Sequence, residues 1–552
     1  MEINKVAKFR TLFVCLLCLA IASIIILEII LGLLPPIARD ALIHHLAIPK
    51  LWLINGGFYE IKWAEYSYYP MNVDLLYLIS LYFHNDNIPN FIHLGFGIGT
   101  AGLIYNYLRS RFGPVAGLSG ALLFLSTPIV VRLSTVAYVD LGLTFFLTAS
   151  IMAFIRWRSG KYQENKWLVL SAITMGLALG TKYNALVAWF FISLAVVFIY
   201  SRDTKIQGQA VKYGAIFFLI SLIVFSPWLI KNLILTGNPL FPLFKGLFTA
   251  LSNNSEGAYS VTGNAYRGLF QMREMMYGEG FWETLLIPIR FFFQGQDHSD
   301  RYFDGVLNPL LILFIPFVFL NKSYRGDKVF LAMFAFFIIV ATFFLDNIRI
   351  RYIMPAIPIL AIISIIGIIN FFGWSRTKIK PLRYACLAVA IVVLIVCGIQ
   401  NIKYIKNYFQ SLQPLSYLGK SETRDTYLKR NLQSYPAIEF INKNTPAAAR
   451  IRLFFLAGRG YYLNRVYQDD ASFGMGVINS LVANSNEDRL FRNYLSSLDC
   501  THFLMRMDMF IKFLKDNYSP ETIELLFRRL GKETELMYQA NGYGVYRIIT
   551  SR

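Results

Sequence analysis

The chain has 552 residues, of which 56% are apolar and 16% charged. A water-soluble domain usually carries about 25% charged residues, so a wholly soluble globular protein is excluded. Lys and Arg outnumber Asp and Glu by 53 to 33, a net charge of +20, but they stand in short clusters between long apolar runs. That pattern fits anchoring on anionic lipid headgroups and argues against nucleic acid as a partner.

Lys5, Lys8 and Arg10 precede an apolar run over 11–34. It is long enough to cross a bilayer and lacks a small-x-small cleavage site, so it reads as an uncleaved first helix and not as a signal peptide. Further apolar runs over 90–108, 115–131, 141–157, 167–180, 184–200, 213–234, 306–320, 329–345, 353–373 and 384–400 bring the expected spans to eleven. The fifth and sixth are short and joined by Thr181-Lys182-Tyr183-Asn184, which allows a tilted or partly re-entrant pair. With the N-terminus cytoplasmic, the inner segments hold nineteen Lys and Arg and the short outer segments seven. This asymmetry favours that orientation, and an odd number of spans then puts the C-terminal domain outside.

Two outer loops are long, 35–89 and 235–305. The first opens with a helical pattern over 40–54, ended by Gly56-Gly57, and 73–83 is apolar but too short to cross, so it reads as an interfacial helix. The second is Gly-, Asn- and aromatic-rich over 237–304, as a lid or lipid-facing loop would be. The membrane domain is expected over 1–400. Beyond it, helices over 437–442, 487–498 and 520–530 and strands over 451–456, 502–506 and 544–549 predict an extracytoplasmic α/β domain over 401–552. Cys15, Cys18, Cys386 and Cys397 lie in apolar runs and Cys500 stands alone, so neither a disulfide framework nor a cysteine metal site is expected.

Ionisable residues at the outer membrane face are the natural candidates for chemistry, because charge there is costly. Asp40 follows the first span and Asp140 enters the fourth. Each could be only a helix N-cap, or the two could form an acid/base pair. Lys182, Lys231, Arg349 and Arg351 are outer cations suited to phosphate, with interfacial snorkelling as the bland alternative. Glu28 lies inside the first span and is expected to pair with a cation. His44 and His45 are adjacent and point apart on a helix, a poor metal pair, although Asp40 and His44 have an i, i+4 spacing. Neither a nucleophile elbow, a Walker loop nor a dinucleotide fingerprint is present.

The order of these motifs resembles the GT-C membrane glycosyltransferases, in the bacterial branch of protein O-mannosyltransferases and the lipid A aminoarabinose transferase. The resemblance is carried by Asp40-Ala-Leu-Ile-His-His-Leu-Ala-Ile-Pro-Lys50, Tyr69-Pro70-Met-Asn-Val-Asp74-Leu-Leu-Tyr77, Ala137-Tyr-Val-Asp140 and Gly176-Leu-Ala-Leu-Gly-Thr-Lys182-Tyr183. It continues through Pro227-Trp228-Leu-Ile-Lys231-Asn232, Thr236-Gly-Asn-Pro239 and Arg351-Tyr352-Ile-Met-Pro355, and covers about residues 10–400. It implies a polytopic α-helical membrane protein of GT-C type, about eleven transmembrane helices with a C-terminal soluble α/β domain, in a bacterial inner membrane.

The implied activity is transfer of a sugar from a polyprenyl-phosphate donor to a lipid, glycan or protein hydroxyl at the outer face, with inversion. By resemblance Asp40 is the general base and Asp140 orients the acceptor or Asp40. Lys182, Tyr183, Arg349 and Arg351 hold the donor phosphate, supported by Arg39, His45, Asp74, Lys231 and Asn232. No cofactor is required, although some relatives use a divalent metal. A transporter or flippase would show paired halves and charges at mid-membrane, and neither is evident. A non-catalytic lipid-binding scaffold could present the same cations.

Overall fold

The computed structural model describes residues 2–251, 268–345, 348–469 and 475–549. The apolar runs become helices because each backbone N–H and C=O in a bilayer must be satisfied within its own segment. In chain order the first ten are α1 (Glu2–Gly32), α2 (Ala47–Ile54), α3 (Asn72–Tyr82), α4 (Ile88–Phe112), α5 (Pro114–Leu125), α6 (Pro128–Ser134), α7 (Asp140–Ser159), α8 (Lys166–Leu179), α9 (Ala185–Thr204) and α10 (Gln207–Thr236). Among the described residues seven helices are long and apolar enough to cross a membrane: Arg10–Gly32 within α1, then α7, α9, α10, Arg325–Phe343, Ile350–Ser375 and Lys380–Leu412. The α5–α6 pair, bent by 70°, makes an eighth if it is one span. The other three expected spans are helical but differ in kind. Lys166–Leu179 and Leu310–Leu320 are short, and α4 is long but carries Asn90, His93, Asn106, Arg109 and Arg111. The protein is a multi-pass membrane protein.

The chain divides into two compact units that interleave along the sequence. One comprises Met1–Leu33, Pro70–Val73 and Asn90–Pro414; the other comprises Leu34–Tyr69, Asp74–Pro89 and Leu415–Arg552.

In the first unit, small and hydroxylic residues let helices approach closely. Ser150 of α7 and Ser171 of α8 each donate to the other's backbone carbonyl at 2.8 Å. A Cβ on Gly176 would lie 2.5 Å from Val224 Cβ and 2.7 Å from the Ser221 carbonyl oxygen, so α8 meets α10 where only glycine fits. At the α5–α6 bend, Thr127 Oγ1 donates to the Leu123 carbonyl at 2.7 Å and Asn401 Nδ2 to the Ser126 carbonyl at 2.9 Å. Glu28 is fully buried beside Ser134 and, among the described residues, has no cation partner, contrary to expectation. In the second long loop, buried Arg273 grips Glu279 through Nε at 2.6 Å and Nη2 at 2.9 Å, with Arg290 adding a third bond at 2.9 Å. Residues 252–267 of the expected lid lie outside the described residues.

The second unit is built on a five-stranded sheet ordered β2-β1-β3-β5-β4, with β1 (Arg450–Phe454), β2 (Val466–Asp469), β3 (His502–Arg506), β4 (Thr534–Ala540) and β5 (Tyr543–Ile548). β1 pairs in parallel with β2 and β3, and β5 runs antiparallel to β3 and β4. Phe454, Ile478, Phe491, Phe503, Phe510 and Leu526 are the centre of its core. Three expected strands and three expected helices are present. The edge strands β2 and β4 and the helices Met475–Asn484 and Met507–Asn517 were not anticipated. The first long loop packs on this domain: Tyr462 Oη donates to the Pro36 carbonyl and Lys50 Nζ to the Tyr461 carbonyl, both at 2.7 Å. Gly458, at φ +74°, sits where a Cβ would come within 3.1 Å of Ile43.

Candidate functional site

Asp140 is the first residue of α7, but it does not cap the helix. Val139 holds the N-cap position and makes no side-chain cap bond. The Asp140 carboxylate, 1% exposed, accepts a hydrogen bond at 2.8 Å from Lys182 Nζ in the α8–α9 turn. Its other oxygen is buried without a hydrogen-bond partner among the described residues. Lys182, Arg351 and His93 all lie within electrostatic reach of this carboxylate. The two cations also face aromatic rings, Lys182 at 5.7 Å from the Tyr352 centroid and Arg351 at 5.5 Å from both Tyr138 and Tyr352. Two cations gathered at one carboxylate form a charged cluster whose donors suit an anion.

Neighbouring residues fix this arrangement. His93 of α4 meets the Leu133 carbonyl through Nδ1 and accepts the Leu141 N–H at Nε2, both at 2.8 Å. These partners require the proton on Nδ1, so a neutral imidazole satisfies a free N–H at the start of α7 where no N-cap side chain does. Asn72 ties down the turn that carries Lys182, since its N–H donates to the Gly180 carbonyl at 2.8 Å while its Oδ1 accepts Trp228 Nε1 at 2.8 Å. Tyr183 Oη donates to the Phe241 carbonyl at 3.0 Å and accepts from Asn232 Nδ2 at 3.0 Å. Lys231 lies over Trp228 at 4.8 Å from the ring centroid. Arg349 stands in a carboxylate network, with Nη2 3.3 Å from Asp300 and Nη1 3.9 Å from Asp304. Asp304 and Asp297 together bind Arg132, at 3.0 and 2.6 Å.

In the second unit Asp40 is half-buried at the N-cap position of a π-helical turn, Ala41–His45, and makes no side-chain cap bond there. The Leu46 N–H closes the turn on the Ala41 carbonyl at 2.9 Å. Single π-turns inside helices are frequent at functional sites. His45 Nδ1 lies 2.6 Å from Asp74 Oδ1 and both side chains are buried. His44 stacks on Tyr66 with centroids 4.6 Å apart. Arg39 is exposed. Among the described residues no three His, Cys, Asp or Glu side chains are grouped as metal ligands.

Of the expected residues, the structure thus joins Asp140 with Lys182 and Arg351, Tyr183 with Asn232, and His45 with Asp74. Sequence reasoning passed over His93 and gave no role to Asn72, Tyr138 and Tyr352, although these three stand inside the quoted motifs. A signal existed for His93, an ionisable residue within an apolar run.

A family model described as dolichyl-phosphate-mannose-protein mannosyltransferase matches residues 83–230, the stretch that carries His93, Asp140, Lys182 and Trp228. No curated protein matches the chain. Among solved structures, ArnT from Cupriavidus metallidurans bound to undecaprenyl phosphate is similar at 13% identity and a TM-score of 0.54, covering 99% of this chain and 98% of that one. The same protein in the apo state matches at 12% identity and a TM-score of 0.53, covering 98% of each chain. An Archaeoglobus fulgidus oligosaccharyltransferase in complex with Zn and sulfate matches at 13% identity and a TM-score of 0.53, covering 96% of this chain and 73% of that one. At such identities the likeness is one of fold, and the fold is of GT-C type.

Proposed function

We propose that the protein is a membrane glycosyltransferase that moves a sugar from a polyprenyl-phosphate donor to an acceptor hydroxyl at the outer face of a bacterial inner membrane. The observation that carries this reading is the Asp140–Lys182–Arg351 cluster, two cations gathered at a buried carboxylate one of whose oxygens has no hydrogen-bond partner among the described residues. The matched family model and an ArnT structure bound to undecaprenyl phosphate support a lipid-phosphate ligand.

Lys182, Tyr183 and Arg351 are assigned to the donor phosphate, with Lys231 and Asn232 as supporting residues. Arg349 joins the set if a phosphate draws it from Asp300 and Asp304. Asp40 is assigned as general base, a carboxylate at a helix start where the N-terminal field favours the ionised form. Attack of the acceptor oxygen opposite the phosphate inverts the anomeric carbon, and the cations stabilise charge that builds on the leaving phosphate. The N-terminus is assigned to the cytoplasm and residues 401–552 to the outside, on the asymmetry of Lys and Arg.

The test is sugar transfer in proteoliposomes from a panel of labelled polyprenyl-phosphate sugars, comparing wild type with Asp40→Asn. Loss of the base is expected to slow transfer roughly 100-fold or more while lipid-phosphate binding is kept. Full activity in Asp40→Asn removes that assignment. Lipid-phosphate binding without transfer from any donor by wild type supports a scaffold instead.

A further inference from the structure

The π-turn changes which residues share a face with Asp40. In an α-helix a residue five positions on is rotated by about 140°, so His45 would point away. With i→i+5 bonding the turn holds roughly 4.4 residues, and the same five steps end about 50° from the start. The observed Leu46 to Ala41 bond therefore brings His45 round toward the Asp40 face. Asp74, in the first turn of α3, meets His45 Nδ1 at 2.6 Å. That contact commits Nδ1–H to the carboxylate and gives Nε2 the lone pair, the orientation that makes an imidazole a base. His44, on the same turn, stands with its ring centroid 3.9 Å from that of His45 and stacks on Tyr66.

We propose that His45, held by Asp74, relays the proton that Asp40 removes from the acceptor; this rests on the transferase reading given above. The acceptor oxygen forms its bond to the anomeric carbon as the bond from that carbon to the phosphate oxygen breaks, the electron pair leaving on the phosphate. The acceptor proton passes to Asp40 and then to His45 Nε2. The Asp74 carboxylate stabilises the imidazolium through Nδ1–H, and His45 gives the proton to water, which returns Asp40 to its ionised form. His45 and Asp74 act through Asp40, so both are positioning residues and neither need touch the sugar.

The test compares full-length wild type, His45→Asn and Asp74→Asn in proteoliposomes with a polyprenyl-phosphate sugar donor. His45→Asn keeps an N–H near the place of Nδ1, so the bond to Asp74 survives while the relaying nitrogen is lost. The expected result is a kcat lower by roughly 100-fold, a donor KM close to that of wild type, and partial recovery with free imidazole. Asp74→Asn is expected to lower kcat by a smaller factor, again without raising KM. Wild-type kcat in His45→Asn overturns the relay and leaves the transferase standing. If His45→Asn is less stable to heat, imidazole decides: rescue supports the relay, and its absence assigns the pair a packing role and overturns it. Wild type that transfers no sugar from any donor overturns the transferase reading and the relay with it.

Discussion

Replacing Lys182 by Met keeps most of the apolar stem and removes the ammonium that faces Asp140. At 2.8 Å and an effective dielectric of about 20, the gross attraction between the two charges is about 6 kcal/mol. Removing one partner of a buried pair usually costs about 3–5 kcal/mol, because the other charge stays buried and uncompensated. Asp140 is almost fully buried, which argues for the full effect, but Arg351 remains within reach of the carboxylate, and Lys182 itself keeps 19% of its side chain exposed. The lower end, about 3 kcal/mol, is therefore expected for Lys182→Met. Asp140→Asn in the same background removes the stranded charge and should recover most of that loss. Equilibrium unfolding of wild type, both single variants and the double variant in mixed detergent–lipid micelles measures the coupling. If the two single effects add within about 0.5 kcal/mol, the carboxylate and ammonium are not coupled, and the cluster loses its claim to be a preorganised charge site.

Two other outcomes are expected. Burial opposes ionisation of Glu279, but hydrogen bonds from Arg273 and Arg290 outweigh it and hold its pKa at about 2, below the ordinary 4.5. A depressed carboxyl pKa gives stability that is complete above pH 4.5 and is lost as pH falls toward 2, here on the order of 3 kcal/mol. Hydrogen exchange of residues 269–290 should rise across that window in wild type and stay flat in Glu279→Gln; an identical pH dependence in both refutes the assignment. Gly176→Val should separate α8 from α10 at a cost of about 1–3 kcal/mol or more, since the new Cβ meets the Ser221 backbone oxygen. Gly373→Ala, which meets nothing within 4 Å, should unfold like wild type when both variants are melted in mixed detergent–lipid micelles; equal losses in both would deny the close packing.

Spans were legible because a bilayer imposes length and apolarity on a local stretch of chain, and both can be counted. The sheet was only half legible. β1, β3 and β5 are largely buried and apolar, whereas β2 and β4 lie at the edges with exposed residues such as Val466, Glu535 and Leu536. Asp40 and Asp140 were visible as acids at the mouths of helices. Their surroundings were not, because His45 finds Asp74 across 29 residues and Asp140 finds Lys182 across 42. Arg349 and Arg351 are two positions apart in sequence, yet one faces Asp300 and the other two tyrosines. The π-turn had no signature at all, since Ala-Leu-Ile-His-His suits an ordinary helix equally well.

The bend between α5 and α6 carries a consequence for descent. Its freed carbonyls, at Leu123 and Ser126, are met by the neighbouring Thr127 and by Asn401 on a helix far along the chain. A backbone carbonyl stripped of its partner within hydrocarbon costs several kcal/mol, so a lineage cannot lose Asn401 and keep the bend. It must supply another donor there or straighten the pair, which would reset the backbone that carries Arg132. The bond falls on a backbone carbonyl that any residue at 126 supplies, so the constraint rests on position 401, which must keep a donor for as long as the bend is kept.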